Sequence, residues 1–582
     1  MTSLLIRRNS LTPVFLLPPE LLARVFHFHT LAEPPWTGVG LRKLGWIKVT
    51  HVCRHWRQVA LDHASLWARI SGFPVHTKWI TEQLSRAKSA PLDIDLFGTP
   101  SPETISMFPS HLPHTRELRL RGLAMSHVNV VKELCGREAP DLEHFELGFS
   151  GTFPVISQDF VGASLFNGNA PKLRTFSLCQ VRIPWSFIPR CQFTQLKIIL
   201  FEEEYQNDDA SSPESFDQLI DILTDCPNLE VLVLESCLPS HFPCTPTPTV
   251  HLPRLSYLSL AGSSSRVVGF FKTLNTPSST KLNLHCIAEN ALENDVCPIL
   301  PLVLAHFSRS PLVTFRSFKV SINHLERSLD VTATTTLPES TVFPSNVFDY
   351  GPEGNPELAL SFITHSDFGN LENILERACS ILPLAELDFL SVSAPDSLHS
   401  LNWQELFQKC SKITTLEASG HGTSTLLRTI TPPRPLKQAK DGRGRGNKRG
   451  RKNVPSQPDE VYVPIFPQLT SLLVKKFDFS ELVPHSGIVY DVLMTALRRR
   501  KSHKVPLKML SIERSLLSQK RASALEKLVR EFHWHGDDAM TFDDFDDFDH
   551  YSSDYHDARW EDFFMGSSQA EWEWWENYSD GW

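Results

Sequence analysis

Apolar residues recur through most of the chain in one short pattern: leucine, two residues, an apolar residue, one residue, another apolar residue. It stands in APDLEHFEL (Leu142, Phe145, Leu147) and APKLRTFSL (Leu173, Phe176, Leu178). It returns in CPNLEVLVL (Leu229, Leu232, Leu234) and LPRLSYLSL (Leu255, Leu258, Leu260). Looser copies are TRELRL, LKIILF, LDFLSV, ITTLEA, LTSLLV and LKMLSI. Each copy predicts a short strand with alternate residues pointing inward. Between copies the spacing turns helical: Phe216, Leu219, Ile220 and Leu223 precede CPNLEVLVL and predict an amphipathic helix. A single copy arises easily by chance in a leucine-rich chain. Several, with proline just before the strand and starts about 23 to 33 residues apart, predict a repeating α/β solenoid with a parallel sheet.

The repeat divides into 99–284 and 385–535, with a linker helix and first strand at 71–98 before it. Between them, 285–384 carries VTFRSFKVSI, LDVTATTTL and LALSFITH, whose alternation predicts a β-rich, hairpin-forming insertion. Residues 430–460 lack apolar periodicity and are expected to be a disordered basic loop. Residues 1–13 are expected to be a disordered terminus and 536–582 a disordered acidic tail.

Residues 14–70 predict a compact helical unit. In LLPPELLARVFHF, Pro18 and Pro19 precede an apolar-periodic run. Proline suits a helix's first turn, where its missing N–H would be unpaired anyway. Leu22, Val25, Phe26 and His29 share one face of that helix, flanked by Leu21 and Phe28. A segment bearing proline and glycine, 30–46, separates it from the next. In VTHVCRHWRQVALDHASLW, residues 49–67, the side chains of Val49, Val52, Cys53, Trp56, Val59 and Ala60 follow the i, i+3, i+4, i+7 pattern of a helix. His51, Cys53 and His55 stand two apart and would suit a metal only on a strand. On a helix Cys53 points away from His51, so no metal and no cofactor is expected here.

LPPELLARVF followed by VTHVCRHWRQVALDHASLWARI resembles an F-box, in the form common among mushroom-forming (basidiomycete) fungi. WITEQLSRAKSAPLDIDL resembles the helix and strand that join an F-box to leucine-rich repeats in those proteins. With the repeats, the resemblance reaches to residue 535. It departs from a compact F-box in its longer insert at 30–46. The resemblance implies a three-helix F-box followed by an irregular leucine-rich-repeat α/β solenoid. It implies docking on the Skp-type adaptor of a cullin-RING ubiquitin ligase through Leu17, Pro18, Pro19, Leu22, Val25 and Phe26. Val52, Cys53 and Trp56 would continue that apolar surface or form the domain's own core. So small a helical unit cannot cover all its apolar residues alone. Trp67 is expected to pin the unit to the solenoid, which would recruit an unknown protein substrate.

Composition narrows the chemistry. The chain has 582 residues, a formal net charge of -9 and 11 cysteines without a CxxC pair. That cysteine usage points to a reducing compartment, cytoplasmic or nuclear, rather than a disulfide framework. No run reaches the roughly 20 apolar residues of a membrane span, and no signal peptide is read. Catalytic signatures such as G-x-S-x-G, a P-loop or HExxH are missing, so the chain is expected to be a non-catalytic receptor. His533 and His535 are read as the aromatic end of the last repeat rather than a ligand pair. Between 437 and 452, eight basic residues stand against one acid; a solvated loop, nuclear import and nucleic-acid contact stay open, the last least favoured. Residues 537–582 hold 15 acidic residues and one arginine, interleaved with aromatics, fitting a solvated tail or a partner-docking segment. The other overall reading is a ligase-independent, nuclear protein-interaction scaffold.

Overall fold

The computed structural model describes residues 12–534, except 34, 39–40, 44, 73–76, 152–154, 157–163, 202–215, 240–248, 289–297, 310–312, 324–326, 338–353, 365–368, 395–400, 433–464 and 484–485. The basic block at 437–452, the acidic tail, His535 and nearly all of 1–13 lie outside the described residues. The architecture is mixed α/β: an N-terminal helical region, then a large sheet. Two compact units divide it, the first closing at Thr280 and the second opening at Lys281.

In the first unit, helices α1 (Pro19–Ala32), α2 (Arg54–Asp62) and α3 (Thr77–Ala87) accompany strands β1 (Arg69–Gly72), β2 (Leu92–Phe97), β3 (Thr115–Leu123) and β4 (His144–Phe149). The sheet continues through β5 (Thr175–Cys179), β6 (Gln195–Ile199), β7 (Val231–Glu235) and β8 (Tyr257–Ser263). Each strand pairs in parallel with the next in sequence.

The register explains the sequence pattern. Ile94, Leu118, Phe145, Phe176, Leu196, Leu232 and Leu258 lie side by side across seven strands, all buried. Leu96, Leu120, Leu147, Leu178, Ile198, Leu234 and Leu260 form the second buried row. Each such side chain contributes about 1.5–3 kcal/mol by leaving water. The first leucine of each copy closes a turn: the N–H groups of Leu142, Leu173, Leu229 and Leu255 donate to the carbonyls of Ala139, Ala170, Cys226 and Leu252 at 3.1–3.2 Å. Proline occupies the second position of all four turns, where its fixed φ is already correct.

Strand exits are equally regular. Gly98, Gln180 and Ser236 directly follow β2, β5 and β7 and adopt left-handed φ values of 87°, 55° and 53°. The amides of Gln180 and Ser236 reach across to the last carbonyls near the next strands' ends, Ile199 O at 2.8 Å and Ala261 O at 2.9 Å. For a residue with a Cβ this conformation costs about 1–2 kcal/mol, which the cross-strand bond offsets.

The second unit contains β9 (Lys281–Ile287), β10 (Ser317–Asn323), β11 (Ser328–Thr334), β12 (Leu358–Ile363) and β13 (Phe389–Ser393). It ends with β14 (Thr415–Ser419), β15 (Ser471–Lys475), β16 (Met509–Glu513) and β17 (Glu531–Trp534). From β13 to β17 the strands again run parallel in sequence order. The start differs: the spatial order is β9, β12, β11, β10, β13, with β11 antiparallel to both neighbours. Arg500 is fully buried and donates to the carbonyls of Ile430, Phe466 and Leu469 at 3.1–3.5 Å.

Candidate functional site: the exposed apolar face of the N-terminal helices

Helix α1 starts where the prolines predict. Pro18 stands at its N-cap, and the amides of Leu21 and Leu22 both donate to the Pro18 carbonyl at 3.0 Å. What the helix then does with its apolar residues departs from the single-face expectation. Leu22, Ala23, Phe26 and Thr30 are buried, with Leu22 and Phe26 exposed by only 1% and 0%. Leu21, Val25 and Phe28 are exposed by 50%, 47% and 62%. At 100° per residue these i, i+4, i+7 positions form a stripe on the side of the helix away from Leu22 and Phe26. The helix is therefore apolar on two opposed faces, one filled and one open.

The buried face is held by the second helix. The Phe26 ring lies 5.1 Å from that of Trp56, and Val59 and Ala60 of α2 are buried. Residues 49–60 do not form one helix as the periodicity predicts. A 3-10 helix, Gly45–His51, ends first, and Cys53 is extended with φ -160° and ψ 167°. Its sulfur accepts the Trp56 amide at 3.5 Å and caps α2. Cys53 is thus a cap, half-buried, rather than part of a helical stripe, and Val52 beside it is exposed. The physical reason is N-capping: four amides at a helix start need acceptors, and a side chain at the cap position supplies one. Of the three helices expected, the described residues give two α-helices and short 3-10 segments.

The remaining predicted residues sort as follows. Leu17 and Trp56 are half-buried, while Pro18 and Pro19 are exposed. Val14, Leu16 and Leu31, which sequence reasoning missed, are exposed apolar side chains as well. Among the described residues twelve large apolar side chains are exposed, and seven of them fall between Val14 and Val52. The apolar excess is local to this region. His51 is exposed, and the His55 ring packs 4.7 Å from Phe15. No three His, Cys, Asp or Glu side chains among the described residues form a cluster able to hold a metal. His533 lies on an exposed position of β17.

Trp67 joins the helical region to the first strands. It is fully buried, its indole N–H donates to the Ala60 carbonyl at 2.8 Å, and its ring meets Trp46 at 5.0 Å and Trp79 at 6.0 Å. The Arg86 guanidinium of α3 sits 4.4 Å over it. Trp79 and Arg86 lie on α3, between β1 and β2, so one side chain fixes the helical region to the root of the sheet.

Residues 14–72 match the family model described as F-box-like. The helical region is an F-box-like domain, and the exposed stripe lies within it. No curated protein matches the chain.

Proposed function

We propose that this chain is a substrate-recognition subunit of a Skp–cullin–F-box type ubiquitin ligase. The F-box-like domain docks the Skp-type adaptor, and the adaptor links it to a cullin-RING ligase. The observation that carries this reading is the open stripe of Leu21, Val25 and Phe28 on a helix whose opposite face is already full. Covering three half-exposed apolar side chains contributes about 1 kcal/mol each, a gain no described part of the chain collects. Leu17, Pro18, Pro19, Val52 and Trp56 would border the contact, while Leu22, Phe26 and Cys53 shape it from within.

The strand-rich region is proposed to be a leucine-rich-repeat-like solenoid with a β-rich insertion that recruits a protein substrate. Its parallel strands, proline turns and recurrent strand exits support that reading. The chain itself acts by holding substrate near the transfer machinery at high effective concentration, without catalysing transfer. Co-expression of the full chain with a tagged Skp-type adaptor and cullin tests this. Recovery of all three in one complex is expected. A folded chain that never co-purifies with the adaptor would leave the ligase-independent scaffold as the better reading.

A further inference from the structure

In the second unit, four adjacent strands bring residues from distant parts of the sequence into one row on the sheet face opposite the buried core. His285 of β9 pairs with Ser361 of β12, Ser361 with Asp330 of β11, and Asp330 with Ser321 of β10. Adjacent strands stand about 4.8 Å apart, so the row of four spans about 14 Å, and Ser361 lies about one strand spacing from both His285 and Asp330. One step along lies the row Ile287, Ile363, Ser328 and Asn323.

The polar groups here are under-satisfied. Ser328 is buried, and its hydroxyl has no hydrogen-bond partner among the described residues. Asp330 accepts one bond from Ser361, and no described cation pairs with it. The His285 ring has no hydrogen-bond partner among the described residues. Several other carboxylates of the sheet are paired: Asp93 with Arg116, Asp95 with Arg121, Glu417 with Lys475. His285, Ser361 and Asp330 are largely but not fully buried, so each keeps some exposed surface for a ligand to meet. Burial lowers the His285 pKa and raises that of Asp330, as expected for a carboxyl and an imidazole that no described charge compensates.

The geometry points to a recognition site for a basic side chain, an arginine of the recruited protein. A carboxylate, the Ser328 hydroxyl oxygen and a neutral imidazole nitrogen are all acceptors. A guanidinium offers five donors and no acceptor, and it meets a carboxylate through two parallel bonds. Ile287 and Ile363 lie beside the row, where the aliphatic stem of an arginine can rest. The site gives the chain a preference for partners with an exposed arginine, and Asp330 sets that preference. This rests on the reading that the strand-rich region recruits protein.

The test uses the full chain and fluorescent nine-residue peptide pools, random except for a central arginine, lysine, citrulline or glutamate. The arginine pool should bind about tenfold more tightly than the citrulline pool, with lysine between them, the scale of one charge-assisted contact. Asp330→Asn should abolish the difference without lowering the melting temperature, and His285→Ala should reduce it. Equal binding of arginine and citrulline pools, or a preference that survives Asp330→Asn, overturns the proposal. Adaptor association is measured on the same preparations. Loss of the arginine preference with adaptor still bound sinks the recognition site alone; an arginine preference in a chain that never binds adaptor upholds the site and sinks the ligase reading.

Discussion

Two surfaces of the first unit handle their outward-facing positions in opposite ways. On the sheet, Asp95, Arg119 and Glu146 lie in one register row, and Arg119 pairs with Glu117 at 2.8 Å and Glu146 at 3.7 Å. Asp93 holds Arg116 through two bonds, at 2.6 and 3.0 Å. On α1 one outward stripe is Leu21, Val25 and Phe28, apolar side chains that no charge pairing can satisfy. The same unit therefore builds a water-facing surface where it needs one and leaves an apolar one at the helical region. Small size alone does not explain that difference, because Leu22 and Phe26 already fill the domain's interior. The open stripe is a surface suited to a second protein.

The comparison breaks most sharply at Phe26 and Phe28. Phe26→Ala should cost about 3–5 kcal/mol in urea unfolding of the helical domain, whereas Phe28→Ala should cost under about 0.5 kcal/mol. Similar losses at both sites would mean that the stripe is structural. Next in size is Arg500, a charge handled by burial rather than exposure. Arg500→Met leaves three buried carbonyls without their donor and should lower stability by about 2–4 kcal/mol; a neutral result would show that water satisfies them.

Asp330 gives a smaller effect with a defined sign. Its folded pKa lies above the ordinary carboxylate value because burial outweighs the Ser361 bond. The folded state thus holds the proton more tightly than the unfolded state. Stability from this group is greatest at acid pH and falls as pH rises through the folded pKa. Asp330→Asn should therefore melt higher than wild type at pH 7, with the gain shrinking toward pH 4 in a melting series. A gain that grows on acidification would contradict the assignment. Smallest of all is Arg119→Ala on the partly exposed ladder, expected below about 1 kcal/mol and smaller still in high salt.

Much of the strand-rich region is legible in the sequence because its buried rows repeat. Leu229, Leu232 and Leu234 read as a turn and strand from their spacing, and Pro227 marks the turn. The strand exits are not legible: Gln180, Ser236, Lys476 and Arg514 take φ values of 44–58° where glycine would have signalled the bend. Amide bonds to the neighbouring strand hold Gln180, Ser236 and Lys476 there, and no local preference records that. The core face of α1 is not legible because apolar residues stand on two opposed faces of the helix, so periodicity cannot choose which side is core. The break at Cys53 is hidden for a related reason. Val49 packs from a 3-10 turn and Val59 from an α-helix, yet their spacing imitates one continuous helix. His285, Asp330 and Ser361 are separated by 45 and 31 positions and meet only because β11 runs antiparallel.

The central claim concerns the open stripe, and a titration of purified full-length chain with purified Skp-type adaptor tests it most directly. Wild type should bind in a saturable one-to-one complex. Leu21→Asp combined with Phe28→Asp should weaken binding at least about a hundredfold, roughly 2.7 kcal/mol, with an unchanged melting temperature. Undiminished binding by that folded double variant would contradict the claim.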